Sequence, residues 1–168
     1  MTNFAADVDK FFKQIKVTLE KATNEKTLRI LGNEAVRLIK LRTRLGYGVS
    51  QVGGKRQRLT KLKESYKKVR KDNRGELSSE TRPGKSNLTF SGQLLDSMKV
   101  IKIRNRQVIV GPQGRRKSIL GQKRILNQDL ARFVTEKGRP FMPLSDLEIK
   151  KLDRFYRNRF GDLVNKDL

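Results

Sequence analysis

The sequence has no cysteine, no histidine and no tryptophan among its 168 residues. Without cysteine there can be no disulfide framework, zinc knuckle, iron–sulfur cluster or thiol nucleophile. Without histidine the usual general base near neutral pH is missing, and so is the usual ligand for zinc, copper and haem, which excludes catalytic triads built on it. Long apolar runs are also missing, and none approaches the roughly 20 residues needed to span a bilayer. The first ten positions carry Asp7 and Asp9 and no basic region leading into an apolar run, which is not the pattern of a secretory signal. These absences predict a soluble protein with no membrane partner, kept in the cytosol or in something assembled there.

Acid is scarce as well: 17 Asp and Glu face 40 Lys and Arg, for a formal net charge of +23. No acid occurs between Ala35 and Lys63, where Arg37, Lys40, Arg42, Arg44, Lys55, Arg56, Arg58, Lys61 and Lys63 fall. A second acid-free stretch, Ser97 to Gln128, holds Lys99, Lys102, Arg104, Arg106, Arg115, Arg116, Lys117, Lys123 and Arg124. The acids gather nearer the ends, as at Asp7, Asp9, Asp146, Glu148 and Asp153. Segregation of this kind predicts a face or channel wall that meets phosphate or an acidic protein. No aromatic–glycine run of the RRM type and no KH-type clamp is present, so any nucleic-acid contact would rest on backbone electrostatics.

The length and the 35% hydrophobic content suit a single domain over residues 1–168. Phe4, Val8, Phe11, Phe12, Ile15 and Leu19 predict an amphipathic helix within about 1–22. Leu28, Leu31, Ala35, Leu38, Leu41 or Arg42, and Leu45 continue the period in a helix over 25–45. Gly46, Gly48, Gly53 and Gly54 then predict a flexible basic loop. Leu59, Leu62, Tyr66 and Val69 form the stripe of a further helix, and the polar run 71–87 reads as a long loop. Ser91 is placed to cap a short helix through Gly92, Leu94, Leu95 and Met98. Val100, Ile101 and Ile103, then Val108, Ile109 and Val110, predict a hairpin turning at Asn105-Arg106 and ended by Gly111, Pro112 and Gly114. A helix over 122–137 follows, with Leu126, Leu130, Phe133 and Val134 on its stripe, Gly138 as its C-cap and Pro140 as its stop. Ser145 and Glu148 make a capping box for a last helix and tail over 144–168, whose buried face would use Ile149, Leu152, Phe155 or Tyr156, and Phe160. The fold class is therefore α+β, with helices packed on a small antiparallel hairpin, the helices at 25–45 and 122–137 covering one of its faces, and long basic loops.

No catalytic constellation emerges. Gly84-Lys85-Ser86 lacks the glycine five residues upstream that a phosphate-binding loop requires, since Ser79 stands there. Asp146, Glu148 and Asp153 sit where acids stabilise the start of a helix. The expectation is a protein that is not an enzyme and takes no cofactor or metal.

Leu88-Thr89-Phe90-Ser91-Gly92-Gln93-Leu94-Leu95-Asp96-Ser97 precedes a hairpin ending Val108-Ile109-Val110-Gly111. A helix ending Glu136-Lys137-Gly138 follows, then the strap Arg139-Pro140-Phe141-Met142. This succession, over roughly residues 30–160, resembles the tail-completion and head–tail joining (virion morphogenesis) proteins of tailed bacteriophages. In that family a Thr/Ser-Gly-x-Leu-x-x-Ser helix start leads to a hairpin closing Val-x-Val-Gly, a helix ending near Glu-x-Gly, an Arg-Pro-Phe run and a C-terminal helix. The chain departs from the pattern at Asp129-Leu130-Ala131, where the family's early aromatic–Ala pair lacks its aromatic, and in the very basic stretch from Arg115 to Lys123. The resemblance implies a structural virion protein, assembled in the host cytoplasm. It would be copied around the tail axis in a hexameric or dodecameric ring between neck connector and tail tube. It further implies partners among neighbouring neck, connector and tail-tube proteins. Arg42, Arg44, Lys55, Arg56, Arg58, Arg115, Arg116, Lys117, Lys123 and Arg124 would face those partners or phage DNA in the channel. Ser91, Gly92, Leu94, Gly111, Gly138, Arg139, Pro140 and Phe141 would form the structural motif, with the hairpin edge and the 71–87 loop making subunit contacts. The alternative is a basic, non-specific DNA- or RNA-binding protein.

Overall fold

The computed structural model describes residues 23–50, 54–72, 88, 91–116 and 124–167, with the backbone alone for Phe160 and 162–167. The expected helix within 1–22, the polar run from 73 to 87 with Gly84-Lys85-Ser86, and Lys117 and Lys123 all lie outside the described residues. Among those described, helices α1 (Glu25–Arg44), α2 (Glu64–Asp72), α3 (Gln93–Asp96), α4 (Asn127–Glu136) and α5 (Asp146–Asp167) accompany strands β1 (Tyr47–Val49), β2 (Arg56–Arg58), β3 (Met98–Arg104) and β4 (Gln107–Pro112). The strands make two antiparallel two-stranded sheets, β1–β2 and β3–β4, and the arrangement is α+β.

Helix α1 begins where Asn24 accepts a hydrogen bond from the Thr27 amide at 2.8 Å, satisfying one of the first-turn donors. It ends at Gly46, whose φ of +86° turns the chain out. Its inner face lies on the β3–β4 hairpin. A Cβ at Gly32 would stand 2.6 Å from methyls of both Val100 and Val108, so the close approach of helix to hairpin requires glycine there. Helix α4 also packs on β4. Both expected helices thus cover the hairpin.

The hairpin turns at Asn105 and Arg106 with φ of +50° and +59°, the paired positive values of a tight type I′ connection. A bulge between Val100 and Lys102 shifts the pairing: Val100 opposes Val110, yet Lys102 opposes Ile109 and Ile103 opposes Val108. Side chains alternate along a strand, so the extra residue puts Val100 and Ile103 on one face and leaves Lys102 outside. The strand ends at Pro112, within the expected Gly111–Gly114 run, after Gly111 has paired with Lys99 and Pro112 with Met98.

The core gathers Ile39, Leu95 and Phe141, each fully buried, with Val36, Leu94, Met98 and Ala131. Val110, Leu130, Val134, Met142 and Leu144 pack against it.

Several boundaries differ from the sequence expectation. The flexible loop after α1 is in its described part a β-ribbon, with Tyr47 opposite Arg58 and Val49 opposite Arg56. Leu59 and Leu62 are buried but precede α2; the Leu59 amide is bonded to the Gly46 carbonyl, so the ribbon's pairing holds the backbone extended there. Ser91 does not cap α3. Gly92 holds the cap position at φ +74°, a left-handed value that glycine tolerates and serine does not favour. Met98 opens β3 instead of closing α3. Helix α4 starts at 127 rather than 122, because the Arg116 and Asn127 amides bond the Ile125 and Gly114 carbonyls and clamp the preceding chain in an antiparallel bridge.

Candidate interaction surfaces and the buried arginine

The strap after α4 is where the sequence motif becomes geometry. Gly138 takes φ +75°; its amide bonds the Thr135 carbonyl at 3.0 Å and the Arg139 amide bonds the Val134 carbonyl at 3.1 Å. This is the double bond of a Schellman ending, so Gly138 closes the helix as expected. Pro140 and Phe141 then run buried past β1, where the Val49 amide donates to the Pro140 carbonyl at 2.9 Å. A Cβ at Gly48 would meet that carbonyl oxygen at 2.2 Å, so this glycine marks a backbone contact and not a hinge. The Thr60 hydroxyl donates to the Gly138 carbonyl at 2.7 Å.

The strap's strongest fastening comes from a residue expected to face DNA or a partner. Arg42 is 4% exposed. Its Nη1 donates to the Pro143 carbonyl at 2.9 Å and to the Glu148 carboxylate, while Nη2 donates to the Phe141 carbonyl. Burial pushes the guanidinium below its ordinary value, Glu148 opposes that shift, and the charge of Arg56 adds to it. Glu148 is held in turn by the Ser145 amide and hydroxyl, each at 2.8 Å, completing the expected capping box. Arg42 therefore does not belong to a binding surface. It lies on the helix stripe with Ala35, Leu38 and Ile39, and the carbonyls of the strap and the carboxylate of α5 take both ends of its guanidinium fork, while its Nε has no partner among the described residues. The helix geometry that turns Glu148 inward turns its neighbour Ile149 outward, 53% exposed, against the expectation that it is buried.

The other predicted basic residues fall into separate places. Arg44 pairs with Asp96 at 3.1 Å. Lys55, Arg56 and Arg58 are exposed on the β1–β2 ribbon, where the Arg56 guanidinium lies 3.8 Å over the Tyr47 ring, a diagonal cross-strand cation–π contact. Arg115 and Arg124 flank α4 and line a hollow of about 560 Å³ together with Asp129 and Glu136. The basic residues are thus split between the ribbon and the flank of α4.

A second groove was not foreseen. Leu62, Tyr66 and Val69 on one side face Leu130, Phe133 and Val134 on the other, across about 580 Å³. Its cations are Lys61, Lys63, Arg70, Arg116, Lys137 and Arg139, and no acid is among its described lining residues. Arg70 is buried, and that burial pushes its guanidinium below the ordinary value; Tyr66 opposes the shift and Arg139 adds to it. The Lys137 ammonium lies 5.4 Å from the Phe133 ring centre. Phe133 sits on the apolar stripe of α4 yet is 54% exposed, because Asn127 and Ala131 take the inward positions.

Among the described residues no group of three or more acids converges as a metal site would require, and no helix is long and apolar enough to cross a membrane. No family model, curated protein or solved structure matches the chain.

Proposed function

We propose that the chain is a structural virion protein of a tailed phage, a tail-completion or head–tail joining subunit that forms a ring between connector and tail tube. One observation supports this reading above others. Residues that carry the resemblance and lie far apart in sequence meet in one core: Leu94 and Leu95 of α3 and Phe141 of the strap are buried in it, and Val110 of the hairpin and Met142 pack against it. Motif residues distant in sequence thus pack together, which supports reading the succession as one scaffold. In this role the chain works by presenting surfaces to its neighbours and performs no reaction. The exposed ribbon residues Lys55, Arg56 and Arg58 would face DNA in the channel or an acidic neighbouring ring. The test is to wash purified phage particles in high salt and count this protein by quantitative mass spectrometry. A fixed number of roughly six or twelve per particle is expected from closed rotational symmetry; absence from washed particles would remove the proposal.

The exposed strand Arg56-Gln57-Arg58 favours a second reading, a non-specific DNA- or RNA-binding protein. On that reading Arg56→Glu with Arg58→Glu flattens the dependence of duplex affinity on salt, by about 0.9 in log–log slope for each phosphate no longer neutralised. An unchanged slope would count against it.

A further inference from the structure

The groove between α2 and α4 is built like a receptor for another protein's helix. Along α4, Leu130, Phe133 and Val134 line it at positions i, i+3 and i+4, with Lys137 at the helix cap; along α2, Tyr66, Val69 and Arg70 do so at i, i+3 and i+4. Two helices that turn apolar residues into one cavity offer the kind of groove that takes an amphipathic helix. Phe133 is 54% exposed, and Tyr66 and Val69 are each 40% exposed. Apolar surface gathered in a concavity on so polar a chain marks an interaction site more than a solvated face does.

The rim selects the occupant. Lys61, Lys63 and Lys137 are exposed around the trough, Arg139 is half-buried at its end, and no acid is among the described lining residues. A second copy of this chain, at net +23, would bring mostly like charge to that rim. A nucleic-acid strand would satisfy the cations and leave the aliphatic floor without apolar partners. An acidic segment with apolar residues on one face satisfies both. We propose that the α2–α4 groove docks an acidic amphipathic helix of a partner protein, its apolar face on Phe133, Val69 and Tyr66 and its carboxylates on the lysine rim. The inference stands on the groove alone and holds under either reading of the protein's role.

The test uses the full chain and a fluorescein-labelled synthetic peptide of about 16 residues, long enough for marginal helicity. The peptide carries Leu at helical i, i+3, i+4, i+7 spacing and Glu elsewhere. Fluorescence anisotropy should show binding that Phe133→Asp weakens about tenfold or more, the loss of one anchor residue. Lys61→Glu with Lys137→Glu should weaken it similarly, whereas Arg56→Glu with Arg58→Glu on the ribbon should leave it within about twofold after salt correction. Three results overturn the proposal. One is equal binding of a scrambled peptide of the same composition, which would mean charge alone. The second is a single-stranded oligonucleotide of equal charge that depends on Phe133 to the same degree. The third is a fall in the free protein's sedimenting mass on Phe133→Asp, which would make a second copy the occupant. Circular dichroism of each variant separates impaired binding from impaired folding, and a folded Phe133→Asp with undiminished binding also overturns it.

Discussion

At the strap, an arginine is buried among carbonyl oxygens and a glutamate; at the groove, a phenylalanine on an apolar stripe stands out in solvent. The two regions share helix α4 and the turn that ends it, yet each inverts the usual rule for its residue type. The difference lies in what the neighbouring chain offers. Arg42 points at the Phe141 and Pro143 carbonyls and at Glu148, so the ends of its guanidinium fork are met without water. Phe133 lies on the side of α4 turned away from the hairpin, where nothing in the described chain covers it fully. A charge is buried where partners are fixed in advance, and an apolar ring is exposed where the fold leaves room for something else.

The largest break in that comparison is Arg42→Ala. Removing the guanidinium leaves Glu148 buried without its partner and two strap carbonyls unmet, and a loss of about 3–5 kcal/mol is expected from urea unfolding. Replacing both partners, Arg42→Met with Glu148→Leu, should recover much of it, because the penalty comes chiefly from the orphaned charge. Gly32→Ala comes next. Its added methyl meets two valine methyls on side chains that are stiff at χ1, and a cost of about 1–3 kcal/mol from overpacking exceeds the ~1 kcal/mol that alanine adds to a helix. Phe133→Ser sharpens the contrast from the other side: stability should move by no more than about 0.5 kcal/mol, and a larger loss would show that the ring belongs to the core.

The smallest expected effect is titratable. The Arg37 guanidinium bonds Glu34 and its charge adds to that bond, so the carboxyl sits below its ordinary value. A depressed carboxyl contributes stability that is present above its unfolded-state value and lost as pH falls through its folded-state one. The stability gap between the native chain and Glu34→Gln should therefore be flat near neutrality and close in acid. The gap should also shrink with added salt.

Much of the architecture is legible in the sequence because local rules act alone there. Asn105-Arg106 between apolar runs gives the hairpin, Gly138 before Pro140 gives the helix end, and Ser145 with Glu148 gives the next helix start. The bulge at Ile101 is not legible, since only the partner strand reveals that Ile103 must face inward with Val100. The surfaces are less so. The charge count pointed to basic faces and could not tell Arg42 from Arg58. The two differ in their surroundings, which come from segments roughly a hundred positions away. A signal did exist: Arg42 falls on a buried helical stripe and Glu148 on the inner turn of another, and two opposite charges on inward stripes suggest a pair. The groove had none, because Tyr66 and Phe133 read as ordinary core positions until α2 proved too short to bury its stripe.

The Arg42 fastening also bears on time. It bridges 99 residues to Phe141, 101 to Pro143 and 106 to Glu148, whereas the hairpin and the helix caps join close neighbours. Long closures are entropically costly before they are rewarded, so whether the strap closes before or after the rate-limiting step decides what the fastening does to the kinetics. If the strap is latched last, losing Arg42 should leave the refolding rate nearly unchanged and put almost the whole effect into faster unfolding. Arg42 would then set chiefly how long the assembled chain keeps its shape, with little influence on how quickly it finds it.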